Sequence, residues 1–406
     1  MGDNSKKPGI RFKGFTDDWE QRKLGDVAEF SKGSGYSKGD LVEYGTPIIL
    51  YGRLYTNYET RISDVDTFVE AKVGSVYSKG GEVIVPASGE TAEDIARAAT
   101  VDKSGILLGG DLNIVMPNKD INSSFLAISI SSGNPQRELA KKAQGKSVVH
   151  IHNEEIKNLV LPFPIKDEQN KIASYFCQLD NLITLHQRKY DKLVMSKKSM
   201  LEKMFPKNGQ TKPEIRFSGF IDDWEQRKLG ELGTITTGNT PSTSIPDYYS
   251  DDGIVWVTPT DICENITFES ARKLSDLGQQ VGRVVPKNTI LVTCIASIGK
   301  NTMLGNTGSF NQQINGLTPN ENKYDPYFLL TESALWSAKM KGSAAAGTMQ
   351  IVNRTEFSEL KTWLPSLIEQ QAIGAFFKQL DHLITLHQRK VSSRLFLNKS
   401  TIFREN

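Results

Sequence analysis

From Glu168 onward the seam positions of a helix recur at Ile172, Phe176, Leu179, Ile183, His186, Tyr190, Leu193, Met200 and Met204, alternating steps of four and three, with Lys197 as the interruption. Such a heptad pattern predicts a long helix that packs along one stripe. A second copy runs through Ile373, Phe377, Leu380, Ile384, His387 and Val391, then weakens towards Arg394 and Asn398. Each follows a proline, Pro164 or Pro365, and the residue before a proline resists the α conformation. At ~1.5 Å per residue, about thirty residues make a rod of about 50 Å. The two helices are predicted to pair. Leu182, Leu185, Leu383 and Leu386 widen each apolar face beyond one partner and offer surface for further helices.

Elsewhere the apolar runs are short, β-branched and broken by Gly, Pro and Asn, as in GEVIVP at Gly81 to Pro86 and ILVTCI at Ile290 to Ile295. These predict strands in a mixed α+β fold. The chain also repeats itself. Residues 10–25 read IRFKGFTDDWEQRKLG and residues 215–230 read IRFSGFIDDWEQRKLG, identical at fourteen of sixteen positions. Residues 168–189 (EQNKIASYFCQLDNLITLHQRK) repeat at 369–390 (EQQAIGAFFKQLDHLITLHQRK). One unit is therefore written twice. The stretches between, about 26–160 and 231–362, share pattern but not residues, ending alike in DLNIVMP and QINGLTP. The expected boundaries are 1–164 and 207–364 for two globular units, 165–206 and 365–406 for the helices. Trp19 and Trp224, present in both copies, read as core.

Composition narrows the class. With 406 residues, 38% hydrophobic and 24% charged, the chain matches ordinary globular protein of two or three domains. No run reaches the ~18 apolar residues of a membrane helix. The polar, lysine-bearing start, Met1 to Pro8, argues against secretion, and Cys177, Cys263 and Cys294 fit neither a disulfide framework nor CxxC metal spacing. A cytoplasmic setting is expected. Net charge is only +2, so charge alone does not mark a nucleic-acid binder. The chain has no Walker A loop, HExxH or GxSxG motif, and Gly33, Gly35 and Gly39 have the wrong spacing for a nucleotide loop and read as a flexible turn. No catalytic residue and no metal ligand set is predicted; His186 and His387 read as polar residues that fix helix register.

Across essentially its whole length the sequence resembles the specificity (S) subunit of type I restriction-modification enzymes. The resemblance rests on the DDWEQRKLG openings at Asp17 and Asp222, TGNTPSTSIPDYYSDDGIVWVTPTDI from Thr237, CIASIGK and FNQQING between Cys294 and Gly316, and PFPIKDEQNKI and LPSLIEQQAI leading into the helices. It implies two tandem pseudo-symmetric target recognition domains joined by two long antiparallel coiled-coil helices. Each domain would read one half of a bipartite, asymmetric double-stranded DNA target. Two methyltransferase (M) subunits and restriction (R) subunits would act on that target, and the S-adenosylmethionine, ATP and magnesium would belong to those partners. Phosphate contacts spread over such a complex supply affinity while base-edge contacts supply specificity, so the modest charge does not count against DNA.

Amides, hydroxyls, Arg and Lys on loops match the hydrogen-bonding edges of the major groove. In the second unit the candidates are Thr240, Ser242, Thr258, Thr260, Ser297, Lys300, Asn311, Gln312 and Gln313; Lys300 reads as a phosphate anchor, and Asn311 to Gln313 could equally bond to backbone. In the first unit they are Lys32, Lys38, Tyr51, Arg53, Lys72, Lys79, Ser88, Glu90 and Arg97, with Lys146 and His150 near its end. There SGETAEDIARAA and GGDLNI stand where the second unit has its SIGK and NQQIN segments. Two other readings stay open: a structural adaptor whose helices scaffold proteins, and a magnesium-dependent nuclease with a scattered carboxylate site.

Overall fold

The two β-branched runs become the central strands of two sheets with the same plan. The computed structural model describes residues 8–145, 148–207, 209–295, 297–345 and 351–400. In the first half the sheet runs Ala28–Lys32, Leu112–Pro117, Glu82–Pro86, Ala99–Val101, Arg61–Ile62; in the second it runs Gly233–Thr237, Ile314–Pro319, Ile290–Thr293, Asn301–Leu304, Ile266–Thr267. In both, neighbours are antiparallel except the last pair, which is parallel. Glu82–Pro86 and Ile290–Thr293 are buried throughout, which is why they lack the alternation of a half-exposed strand. A second sheet in each half is built on a parallel pair, Thr46–Ile49 with Ser104–Leu108 and Tyr249–Val257 with Gly308–Phe310.

The repeated segments meet. Glu20–Lys23 pairs with Val160–Phe163, and Glu225–Lys228 with Lys361–Leu364. Nε and Nη2 of Arg11 each donate to Glu168 at 2.7 Å, and those of Arg216 to Glu369 at the same distances. Each hydrogen-bonded carboxylate raises its guanidinium's pKa above the ordinary value. Gln169 accepts from the Asn122 amide and donates to the Pro164 carbonyl; Gln370 does the same with Asp325 and Pro365. Trp19 and Trp224 are core residues, packed edge-on against Phe125 and Phe205 respectively. Identity between the copies thus follows from shape: both halves of each clamp must fit each other.

Two long helices, α1 (Lys166–Lys203) and α2 (Leu367–Ser400), begin at these clamps. The chain forms two compact units, and the division cuts both helices: the first unit holds the chain up to Arg188 and again from Gln388, the second Lys189–His387. Within the first, Ile172 and Phe176 join the core of Trp19 and Phe125, while Leu179, Ile183 and His186 are half-buried. Within the second, Leu193, Met200 and Met204 share one apolar cluster with Ile373, Phe377, Leu380 and Ile384, and His387 is half-buried. Lys197 approaches Asp381 at 2.6 Å, whereas Phe205, eight positions on, lies with its ring tilted against Phe377, four positions back; the contacting segments are antiparallel. Leu182, Leu185, Leu383 and Leu386 are exposed. Among the described residues no helix is long and apolar enough to cross a membrane.

Candidate nucleic-acid interface

In the second unit four loops leave the C-terminal ends of Gly233–Thr237, Tyr249–Val257, Ile290–Thr293 and Gly308–Phe310, and hydrogen bonds bring them together. The Asn239 amide donates to the Phe310 carbonyl (2.9 Å) and that of Asn311 to Val257 (3.0 Å). The Thr240 hydroxyl donates to the Gln312 side chain. Lys300 reaches across to the Pro259 carbonyl at 3.1 Å with its side chain exposed. Thr258 turns its hydroxyl onto Asp261 (2.6 Å) and Thr260 (2.8 Å). The predicted contacts Thr240, Thr258, Thr260, Ser297, Lys300, Asn311, Gln312 and Gln313 therefore converge on one patch, with Ser242 two residues beyond Thr240 and bonded to Ser244.

Within that patch the roles differ. Asn311 is buried and exchanges two hydrogen bonds with Gln313, holding the turn between strands. Gln312, Thr240, Thr260, Ser297 and Lys300 face outward. Two cations join them that pattern reading does not single out. Arg283 donates to the Thr237 carbonyl at 2.6 Å, and Lys341 lies so close to Gly299 that a Cβ there would stand 2.8 Å from its Cε. No local signal marks either; the fold brings Arg283 to Asn239 from 44 residues away in sequence and Lys341 to the neighbourhood of Lys300 from 41.

The first unit uses the corresponding four loops with other chemistry. The Ser34 amide donates to Leu108 (2.9 Å), Gly109 to Ile49 (2.9 Å) and Ala87 to Asp111 (2.7 Å). The Tyr55 hydroxyl donates to the Ser88 carbonyl at 2.8 Å, and burial pushes its pKa up. Ser88 is itself buried, its hydroxyl 3.1 Å from His150 Nδ1. Arg97 bonds the Leu54 carbonyl and stacks over Tyr58. Arg53 is taken up by Glu59, Asp66 and the Asp64 carbonyl. Lys72 pairs with Asp40 at 2.5 Å over the Tyr36 ring, and its hydrogen bond, with those from Ser37, lowers the Asp40 carboxyl to about 2. Lys32, Lys38, Tyr51, Lys79 and Glu90 are exposed. Lys79 lies on Tyr77–Lys79, away from the four loops. Lys146 lies outside the described residues.

The turn at Gly33 is a correction to its reading as a flexible loop. Its amide donates to Leu112, and a Cβ there would sit 1.9 Å from the Gly109 carbonyl oxygen; Gly238 in the second unit donates to Ile314, with a Cβ 2.2 Å from the Phe310 and Asn311 oxygens. Backbone crosses backbone at both places, and only glycine leaves room. Glycine spacing alone does not separate such a crossing from a loose turn.

Comparison with known proteins follows the same division. The family model for the type I restriction modification DNA specificity domain matches twice, over residues 16–195 and 221–394. The type I restriction enzyme MjaVIII specificity subunit of Methanocaldococcus jannaschii is 24% identical over 396 residues, covering 92% of this chain and 88% of that one. The S subunit of a type I restriction-modification system from M. genitalium superposes with a TM-score of 0.66 at 13% identity, over 96% of each chain. A chain from a structure of type I R-M complex assembly and conformational transition gives 0.51 at 16% identity, over 93% of this chain and 94% of that one. With two tandem matches spanning most of its length, this chain belongs to the family of type I restriction modification DNA specificity domains.

Proposed function

We propose that the chain is the non-catalytic sequence-specificity subunit of a type I restriction-modification complex. Each recognition unit, 1–164 and 207–364, reads one half of a bipartite DNA target, and the helices of 165–206 and 365–406 hold the halves at a set spacing. The observation that carries this reading is the pair of equivalent four-loop patches on one shared scaffold, alike in backbone and different in side chains. A reader of an asymmetric target needs that combination, because direct readout depends on which donors and acceptors meet the base edges. Gln312, Thr240 and Thr260 suit base edges; Lys300, Arg283 and Lys341 suit phosphates. Methyltransferase subunits dock on the exposed leucines of α1 and α2, and restriction subunits join that assembly. S-adenosylmethionine, ATP and magnesium are bound by the partners and not by this chain, and the whole works in the cytoplasm.

The test is single-molecule methylome sequencing of a methylation-deficient cell, with and without this chain co-expressed with a type I methyltransferase subunit. A new bipartite methyladenine motif is the expected result. A stable complex that leaves no motif would favour the scaffold-only adaptor.

A further inference from the structure

The four loops do not exhaust the face they form in the second unit. Asn239, next to Thr240, accepts the Arg283 amide on its Oδ1 and donates from Nδ2 to the Val281 carbonyl, both at 2.8 Å. Arg283 closes the ring on the Thr237 carbonyl. These bonds hold the 281–284 segment beside the Thr240–Gln312 pair. There Val281 and Val284 keep 44% and 39% of their surface open, while the next residue, Val285, turns into the core.

Singly exposed apolar residues are ordinary. These two differ in being fixed by side-chain bonds to a polar patch and in flanking an arginine. Valine offers no donor and no acceptor. Within the major groove the apolar feature that distinguishes one base from the others is the C5-methyl group of thymine. We propose that Val281 and Val284 read thymine methyl groups in the half-site taken by the second unit, with Arg283 as the adjoining polar contact. The proposal rests on the DNA-reading function above and adds a base identity to it.

The experiment uses the chain assembled with its methyltransferase partner and a duplex carrying its methylation target. Each thymine is replaced in turn by deoxyuridine, which lacks only the methyl group. Burying one methyl is worth ~0.8 kcal/mol, so wild-type affinity should fall about fourfold at one or two positions of one half-site. The V281A/V284A variant should bind the native duplex more weakly and show no further loss at those positions. The V281S/V284S variant, which keeps no methyl on either side chain and changes only exposed positions, should also lose the discrimination and serves if the alanine variant does not fold. Wild-type binding indifferent to every uracil, or variants that lose as much as wild type, overturns the proposal. A complex that binds no bipartite duplex at all overturns the DNA-reading function itself.

Discussion

Removing one half of the ion pair at the base of the second unit has a calculable effect. Arg216 meets Glu369 through two hydrogen bonds of 2.7 Å, and the glutamate side chain is 1% exposed. Arg216→Met leaves that carboxylate in the interior without a counter-charge. Stranding one member of a buried pair costs about 3–5 kcal/mol, whereas replacing both members by apolar groups is often neutral. For a unit of this size each kcal/mol moves the melting temperature by ~2–4 °C, so the second unit should melt about 6–20 °C lower. The R216M/E369L double variant should recover most of that loss. Calorimetry of the full chain resolves the effect, and Arg11→Met with R11M/E168L repeats the comparison on the first unit. If R216M melts within about 2 °C of wild type, or the double variant is no more stable than the single one, the ion pair is not what anchors the unit.

Three further outcomes are expected. Glu332 is fully buried, with one oxygen accepting from the Trp363 amide, and burial raises its carboxyl to about 8 from an ordinary 4.5. The folded unit then keeps a proton that the unfolded chain releases, so stability should fall as pH rises from 5.5 to 7.5 by roughly 2 kcal/mol, and urea unfolding of Glu332→Gln should lack that fall. Lys300→Ala should weaken DNA binding by the assembled complex and lower the salt slope by about 1 without affecting assembly; an unchanged slope counts against a phosphate contact. Gly33→Ala should destabilise the first unit by about 1–3 kcal/mol, while Gly35→Ala, which meets nothing within 4 Å, should be silent in the same thermal melt.

Much of the scaffold can be read from the chain because its constraints are local or repeated. The heptad seam, the buried runs at Glu82–Pro86 and Ile290–Thr293, and the core tryptophans all appear where their spacing and composition put them. Lys197 marks the limit of that reasoning. As a break in the seam it looks like an imperfection, yet it meets Asp381, which also accepts from the Tyr327 hydroxyl at 3.0 Å. Long-range partners of this kind leave no periodic trace. Arg11 and Glu168 lie 157 residues apart, so each copy contains both residues without any sign that they touch. The candidate interface is less legible still. Ser88, Arg53 and Asn311 have the chemistry of base readers but make bonds within the fold, and Arg283 is held at the patch by Asn239 and the Thr237 carbonyl, both more than forty residues earlier in the chain. Asn113 and Asn315 occupy equivalent buried positions and donate to Ile151 and Val352, a positioning role that an amide in a loop-like motif does not advertise.

The paired ends at Arg11–Glu168 and Arg216–Glu369 make each variable stretch a cassette. Whatever lies between such ends, the sockets that receive it are chemically the same. A cassette from one position, or from a relative with the same ends, could be seated in the other with its anchoring residues already matched. Change of target then requires no redesign of the frame, and selection can act on readout while the frame stays still.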